Sequence, residues 1–295
     1  MANSKTYDGK LSVATLSAMR LSAALICGAP VQYPQNSTLN EFYKLMTARQ
    51  PDPMDRPTLK YLALGNRGHK AESDGEIDDF VPVGKSPTAS GMFSYVPWVL
   101  RTLDNDLSDE QRKNYRFRTQ LNVNGRNYWA YYLRVLDMRT VKTTDIETVR
   151  TNGEPVVDDF VYRDADIHPV PGALPDYDYD DDGTVEMPDG RYVESGADIF
   201  ITWNEFDVQE YLNVASIMRG SANKALVSEI SMCSGLDVPE TGESATGSPF
   251  SYTEAIGVQA LYHISLFVNL AQTNENLGLT IRVGQPAPFF LGNAS

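Results

Sequence analysis

Histidine and cysteine are nearly missing from this chain of 295 residues: His69, His168 and His263 are the only histidines, Cys27 and Cys233 the only cysteines. No two histidines stand at ligand spacing and the cysteines lie far apart, so neither a zinc site nor a disulfide framework is indicated, and a reducing compartment is the expected setting. A Gly-x-Ser-x-Gly elbow, a dinucleotide fingerprint and a Cys–His pair in a recognisable context are all lacking, so the sequence offers no catalytic constellation and is not expected to be an enzyme. "GKS" at 84–86 has the tail of a phosphate-binding loop, but Asp79 stands where that loop's first glycine belongs. No apolar run approaches the roughly 18 residues of a membrane span. "LSAALICGAP" after Arg20 follows a long polar approach containing Asp8, which speaks against an export signal, and Ile26 rather than a small residue precedes Cys27, so no lipoprotein signal is expected. The chain is expected to be soluble and made in a cytoplasm.

Acid is what the sequence has in excess, and it sits in one place. The chain carries 25 Lys plus Arg against 39 Asp plus Glu, a net charge of −14. Residues 141–210 alone hold 19 acids and four bases, a local net charge of −15, and the remainder is essentially neutral. This argues against gripping nucleic acid through a basic groove, whereas an acidic wall beside DNA repels it and keeps it mobile. Within "DYDYDDDGTVEMPDG", residues 176–190, Asp178, Asp180, Asp182 and Gly183 match positions one, three, five and six of a calcium loop. Calcium on Asp178, Asp180 and Asp182 is the one cofactor the sequence raises. Against it, Pro188 sits where an exiting helix would start and Asp189 takes the place of the bidentate Glu, so a solvated acidic hairpin turning at Pro188-Asp189-Gly190 is the leading reading and no cofactor is expected. Paired carboxylates of the glycosidase kind are so abundant here that they carry no signal.

With 42% hydrophobic residues there is enough apolar material for one large domain or two smaller ones. Leu11, Ala14, Ala18, Leu21 and Leu25 recur at helical steps, and Gly28 and Pro30 end that element. Thr38 with Glu41, and Ser108 with Gln111, are capping boxes that open a second and a third helix. The strongest local signal is "YRFRTQLNV-NG-RNYWAYYLRV". Asn124-Gly125 supplies a type I′ turn, so partners sum to 249 and pair Phe117 with Tyr132, Leu121 with Tyr128 and Gln120 with Trp129. A helix follows at "TWNEFDVQEYLNVASIMRG", capped by Asn204, stopped by Gly220, with Val208, Tyr211, Leu212, Ala215 and Met218 on one face. Period-two apolar residues from Ile256 to Leu270 predict a long strand, with "LGLTIRVG" folding back on it. The pattern predicts an α+β fold, predominantly antiparallel β with long hairpins plus about four short-to-medium helices. Three regions result: 1–140 with the N-terminal helices, loops and aromatic hairpin; 141–200 as an acidic insertion; and 201–295 with a helix, a long C-terminal hairpin and a tail, forming one compact domain with 1–140.

Extended hairpins and an apolar tail leave edges and aromatic side chains that a lone monomer must hide and an assembly can use. Trp129, Tyr131, Phe289 and Phe290 are the expected interface residues. "LGNRGH" at 64–69, "VPWVLR" at 96–101, "NDLSDEQRKNYRFR" at 105–118 and "NYWAYYLRVLD" at 127–137 resemble motifs of an uncharacterised group of tailed-bacteriophage virion proteins. The resemblance spans residues 64–137 and none of its motifs is catalytic. It implies a virion structural protein, assembled in the host cytoplasm, forming the head-to-tail connector (neck) or the tail. Its expected partners are copies of itself in a ring, with portal, neck or tail subunits beside it and DNA passing without sequence-specific contact. The alternatives are an attachment or carbohydrate-binding module stacking sugars on Trp98, Trp129 and Tyr131, and a carboxylate-dependent hydrolase.

Overall fold

The structure, a computed structural model, describes residues 11–39, 50–73, 78–139, 141–151, 154–167, 190–243, 249–272 and 277–288. It divides into two compact units, one of residues 1–137 with 203–277, the other of 138–202 with 278–295. The fold is α+β and mostly antiparallel sheet. Among the described residues no helix is long and apolar enough to cross a membrane.

The first unit is built on a seven-stranded sheet. Its order is β1 (Leu11–Ala14), β12 (Pro249–Asn269), β11 (Leu226–Glu243), β2 (Thr58–Gly65), β7 (Arg126–Val135) and β5 (Val99–Thr102), with β6 (Tyr115–Val123) also on β7. A short hairpin, β3 (His69–Ser73) and β4 (Asp78–Pro82), stands beside it. The β6–β7 hairpin has the predicted register, Phe117 opposite Tyr132 and Leu121 opposite Tyr128. Asn124 at φ 51° and Gly125 at φ 82° supply the two left-handed residues that a type I′ turn needs.

Helical spacing runs through Leu11 and Ala14, yet those residues form β1, paired with Tyr262–Ser265 of β12. Thr15 is the reason, because its hydroxyl accepts from the Ala18 N–H at 3.2 Å and donates to the Ala260 carbonyl at 2.6 Å. That caps helix α1 at Leu16–Cys27, and Gly28 at φ 61° closes it. Ser108 and Gln111 form the predicted capping box of a single turn, α2 (Asp109–Arg112). The helix expected from Thr38 lies on residues outside those described.

Helix α4 (Glu205–Arg219) follows another single turn, α3 (Asp164–Ile167), and keeps its predicted caps, Asn204 and Gly220. Its buried face is Asp207, Glu210, Tyr211, Val214 and Ala215, rotated from the apolar stripe read in the sequence. Two acids turn inward because each meets an arginine of the sheet: Asp207 lies 2.7 Å from Arg134, and Glu210 pairs with Arg101.

The C-terminal pairing differs from expectation. β12 is flanked by β1 and β11, so its hairpin partner is the strand before it. β13 (Leu277–Pro288) belongs instead to the four-stranded sheet of the second unit, ordered β13, β10 (Gly190–Trp203), β8 (Thr143–Thr151) and β9 (Glu154–Asp159). β11 escapes a pattern search because Ser228, Glu229, Ser231 and Ser234 interrupt its apolar residues, and all four are buried.

Candidate functional site

The segment 83–96 crosses β11 and β12 over the buried Glu229, His263 and Ser265. Ser265 donates to the Val83 carbonyl at 2.6 Å, and the His263 imidazole meets the Ala89 carbonyl at 3.1 Å. Lys85 and Glu229 form a buried ion pair beneath the segment. Glu229 also accepts from the Phe93 and Ser94 amides at 2.8 and 3.2 Å, while Lys85 donates to the Gly91 carbonyl at 3.2 Å and lies 4.3 Å from the Phe93 ring centre. Burial lowers the Lys85 pKa, partly offset by Glu229. His263 is buried inside its own chain. Burial first and the Lys85 charge second bring its pKa down to about 4. These groups act as a clamp that every member needs, since a buried charge without its partner is costly.

The glycines of "LGNRGH" belong to the same construction. A Cβ on Gly65 would stand 2.5 Å from Glu229 Oε2, and one on Gly68 would stand 2.1 Å from the Ser228 carbonyl oxygen. Their lack of side chain lets the 65–69 turn lie directly on β11. His69 follows, edge-on to Phe80 and Phe267 at 5.6 and 5.0 Å, and the two phenylalanines stack at 4.2 Å.

The aromatic hairpin holds two of the four expected interface residues, and they differ. Tyr131 is 1% exposed and donates its hydroxyl to Asp106 at 2.5 Å, so it packs within its own unit. Trp129 is half-buried, with the Arg118 guanidinium 3.7 Å from its ring centre and Arg118 tied to Asp106 at 3.1 Å. Phe250 of β12 continues the series, 5.7 Å from Arg118 and 5.1 Å from Arg112. Trp98 is buried as well, its indole N–H on the Leu62 carbonyl at 3.2 Å. Phe289, Phe290, Asp178, Asp180 and Asp182 lie outside the described residues, as does the predicted turn at Pro188-Asp189. Among the described residues no group of three or more His, Cys, Asp or Glu is placed to hold a metal ion.

Two features escape a reading of the sequence. On β12 the buried Glu254 has its pKa raised to about 7, first by burial and then by the charge of Glu240 on β11. The second is where apolar surface remains open. In the first unit, α1 turns Leu16, Met19, Ala23 and Ile26 outward at steps of three and four, with Ile26 85% exposed. In the second, Val156, Val157, Val161, Tyr162 and Ile167 are exposed within one short stretch. Valine at 156 and 157 alternates to both faces of a strand, a pattern that elsewhere marks a buried one.

One family matches this sequence, over residues 1–295, and it is described as a family of unknown function (DUF7208). No curated protein and no solved structure matches.

Proposed function

We propose for this chain, which belongs to the DUF7208 family, the role of a bacteriophage virion structural protein: a subunit of the head-to-tail connector or tail that closes into a ring of identical copies around the DNA passage. The observation that carries the reading is the pair of unlike apolar patches, the outer stripe of α1 and the segment 156–167. A ring is made by heterologous contact, in which one surface of each copy meets a different surface of the next, so every protomer must offer two. Exposed apolar groups collected in patches point to such contacts. The charge distribution agrees with it, because residues 141–210 carry the whole excess of acid and like charge beside a DNA conduit keeps the polyanion from adhering.

The sugar-binding alternative loses its platforms: Trp98 and Tyr131 are buried and Trp129 is covered by Arg118. The reading is tested by native mass measurement and negative-stain imaging of the purified full chain. A single high-order species with cyclic symmetry is expected, and a solitary chain at all accessible concentrations would overturn it.

A further inference from the structure

We infer that the copies join through the second unit, with strand β9 of one protomer adding to the outer side of strand β13 of the next, an end strand among the described residues, so that the four-stranded sheet runs on from copy to copy. The inference rests on the ring reading above and gives the apolar edge at Val156 and Val157 its partner in the next copy, strand β13; the outer stripe of α1 takes no part in this pairing.

Strand β9 is an end strand, paired only with β8 among the described residues. The Phe160 amide donates to the Asp145 carbonyl at 3.0 Å, continuing the register in which Val157 faces Thr148 and Val156 faces Val149. In an antiparallel ladder the bonded pairs alternate, so Val156 and Asp158 direct their peptide groups at β8, while Pro155, Val157 and Asp159 direct theirs away from it. An unpaired edge of this kind is a template for another strand. Pro155 has no N–H to offer, and the omission falls on the open side, which confines pairing to Val157 and Asp159 and to the Pro155 carbonyl. Exposed Val156 and Val157 then give an incoming strand apolar neighbours on both faces.

Charge selects the occupant. A second β9 would add its own Asp158 and Asp159 to those already on this edge, and crowding like charge across a ladder is destabilising. β13, the other end of the same sheet, has no acid between Leu277 and Pro288, so β9 meets no like charge along it. Its proline-free run, Leu277 to Gln285, is long enough for the six residues of β9. Because β9 and β13 are opposite ends of one sheet, each copy uses both, and the contact propagates.

The test uses the full chain in two variants, followed by sedimentation against concentration with thermal melting as the control for folding. Val157→Pro removes an outward N–H and the exposed valine side chain while leaving the bonds to β8 in place, and is expected to raise the concentration for half-assembly about tenfold, with the melting temperature unchanged. Pro155→Val restores an outward N–H and is expected to lower that concentration, which keeps the inference testable even if Val157→Pro disturbs folding. Rings unaffected by both variants would overturn this contact and leave the ring reading standing. A dimer that grows no further would overturn the choice of β13. A wild-type chain that stays solitary would remove the ring reading itself.

Discussion

Glu254 stands opposite Val238 in the β11–β12 ladder, with Glu240 one pair further along on the same face. Burial and that neighbour raise its pKa from 4.5 to about 7, so the folded chain holds a proton that the unfolded chain releases. Stability from this group is therefore complete below pH 4.5, is lost as pH rises toward 7, and stays level above it. Glu254→Gln keeps the shape and removes the charge. At pH 8 it should stabilise the protein by about 1 to 2 kcal/mol and at pH 4 do almost nothing, as read by urea midpoints at the two values. An equal effect at both would mean that packing, not charge, decides this position. His263 runs the other way: with a pKa near 4 in the folded state, below the ordinary 6.5, it costs stability as pH falls through that interval. Neither shift was legible in the sequence, because each depends on what covers the residue. For His263 that is the 83–96 segment, some 170 positions away in the chain.

Elements show where local rules sufficed and where they did not. The β6–β7 hairpin was readable to the residue because Asn124-Gly125 fixes turn type and register at once, and the caps of α4 were readable because their hydrogen bonds span three residues. β1 carries helical spacing because nothing local distinguishes it from the start of α1. β11 escapes recognition because its buried Glu229 is satisfied by the distant 83–96 segment and its buried Ser228 by Gly68. β12 contains a constraint of the same long-range kind. Gly257 sits at φ 58°, and a Cβ there would lie 2.3 Å from Pro51 Cγ and 3.0 Å from the Tyr33 ring. Replacing it both strains the backbone and forces Pro51 aside, so Gly257→Ala should cost about 2 to 4 kcal/mol. Gly278→Ala, with nothing within 4 Å of the added carbon and no positive φ, should fall within about 0.5 kcal/mol of wild type. Thermal melts of the two variants side by side check this, and similar losses would show that the Gly257 site yields more readily than its geometry says.

At the scale of the whole chain, the acidic stretch seen as an insertion is most of a unit with its own sheet, completed by a strand from the far C-terminal end. Composition exposed the stretch but not the completion, because β13 has the alternation expected of a partner for β12 and only the tertiary pairing assigns it to β10. What holds it there is partly specific. Arg282 on β13 donates to Glu194 at 2.5 Å and to the Thr144 hydroxyl and carbonyl at 3.0 Å each, and lies 3.4 Å from Asp198, so one guanidinium fastens β13 to β10 and to β8 beyond it. Non-local pairing of this sort forms late, since a long loop must close before it is rewarded. A chain ending at Leu277 keeps every strand of the seven-stranded sheet and loses β13. Its β10 then presents an unpaired edge, and Glu194 and Asp198 lose the cation between them. The truncated chain should retain the main thermal transition and the near-ultraviolet signal of the Trp98–Trp203 pair, whose rings lie 6.0 Å apart in the first unit. Amide protection in β8, β9 and β10 should fall to that of an open sheet. Hydrogen exchange read by mass spectrometry decides the matter: protection lost throughout both units would mean that the C-terminal strand organises the entire fold, and protection kept in β8–β10 that their sheet does not depend on it.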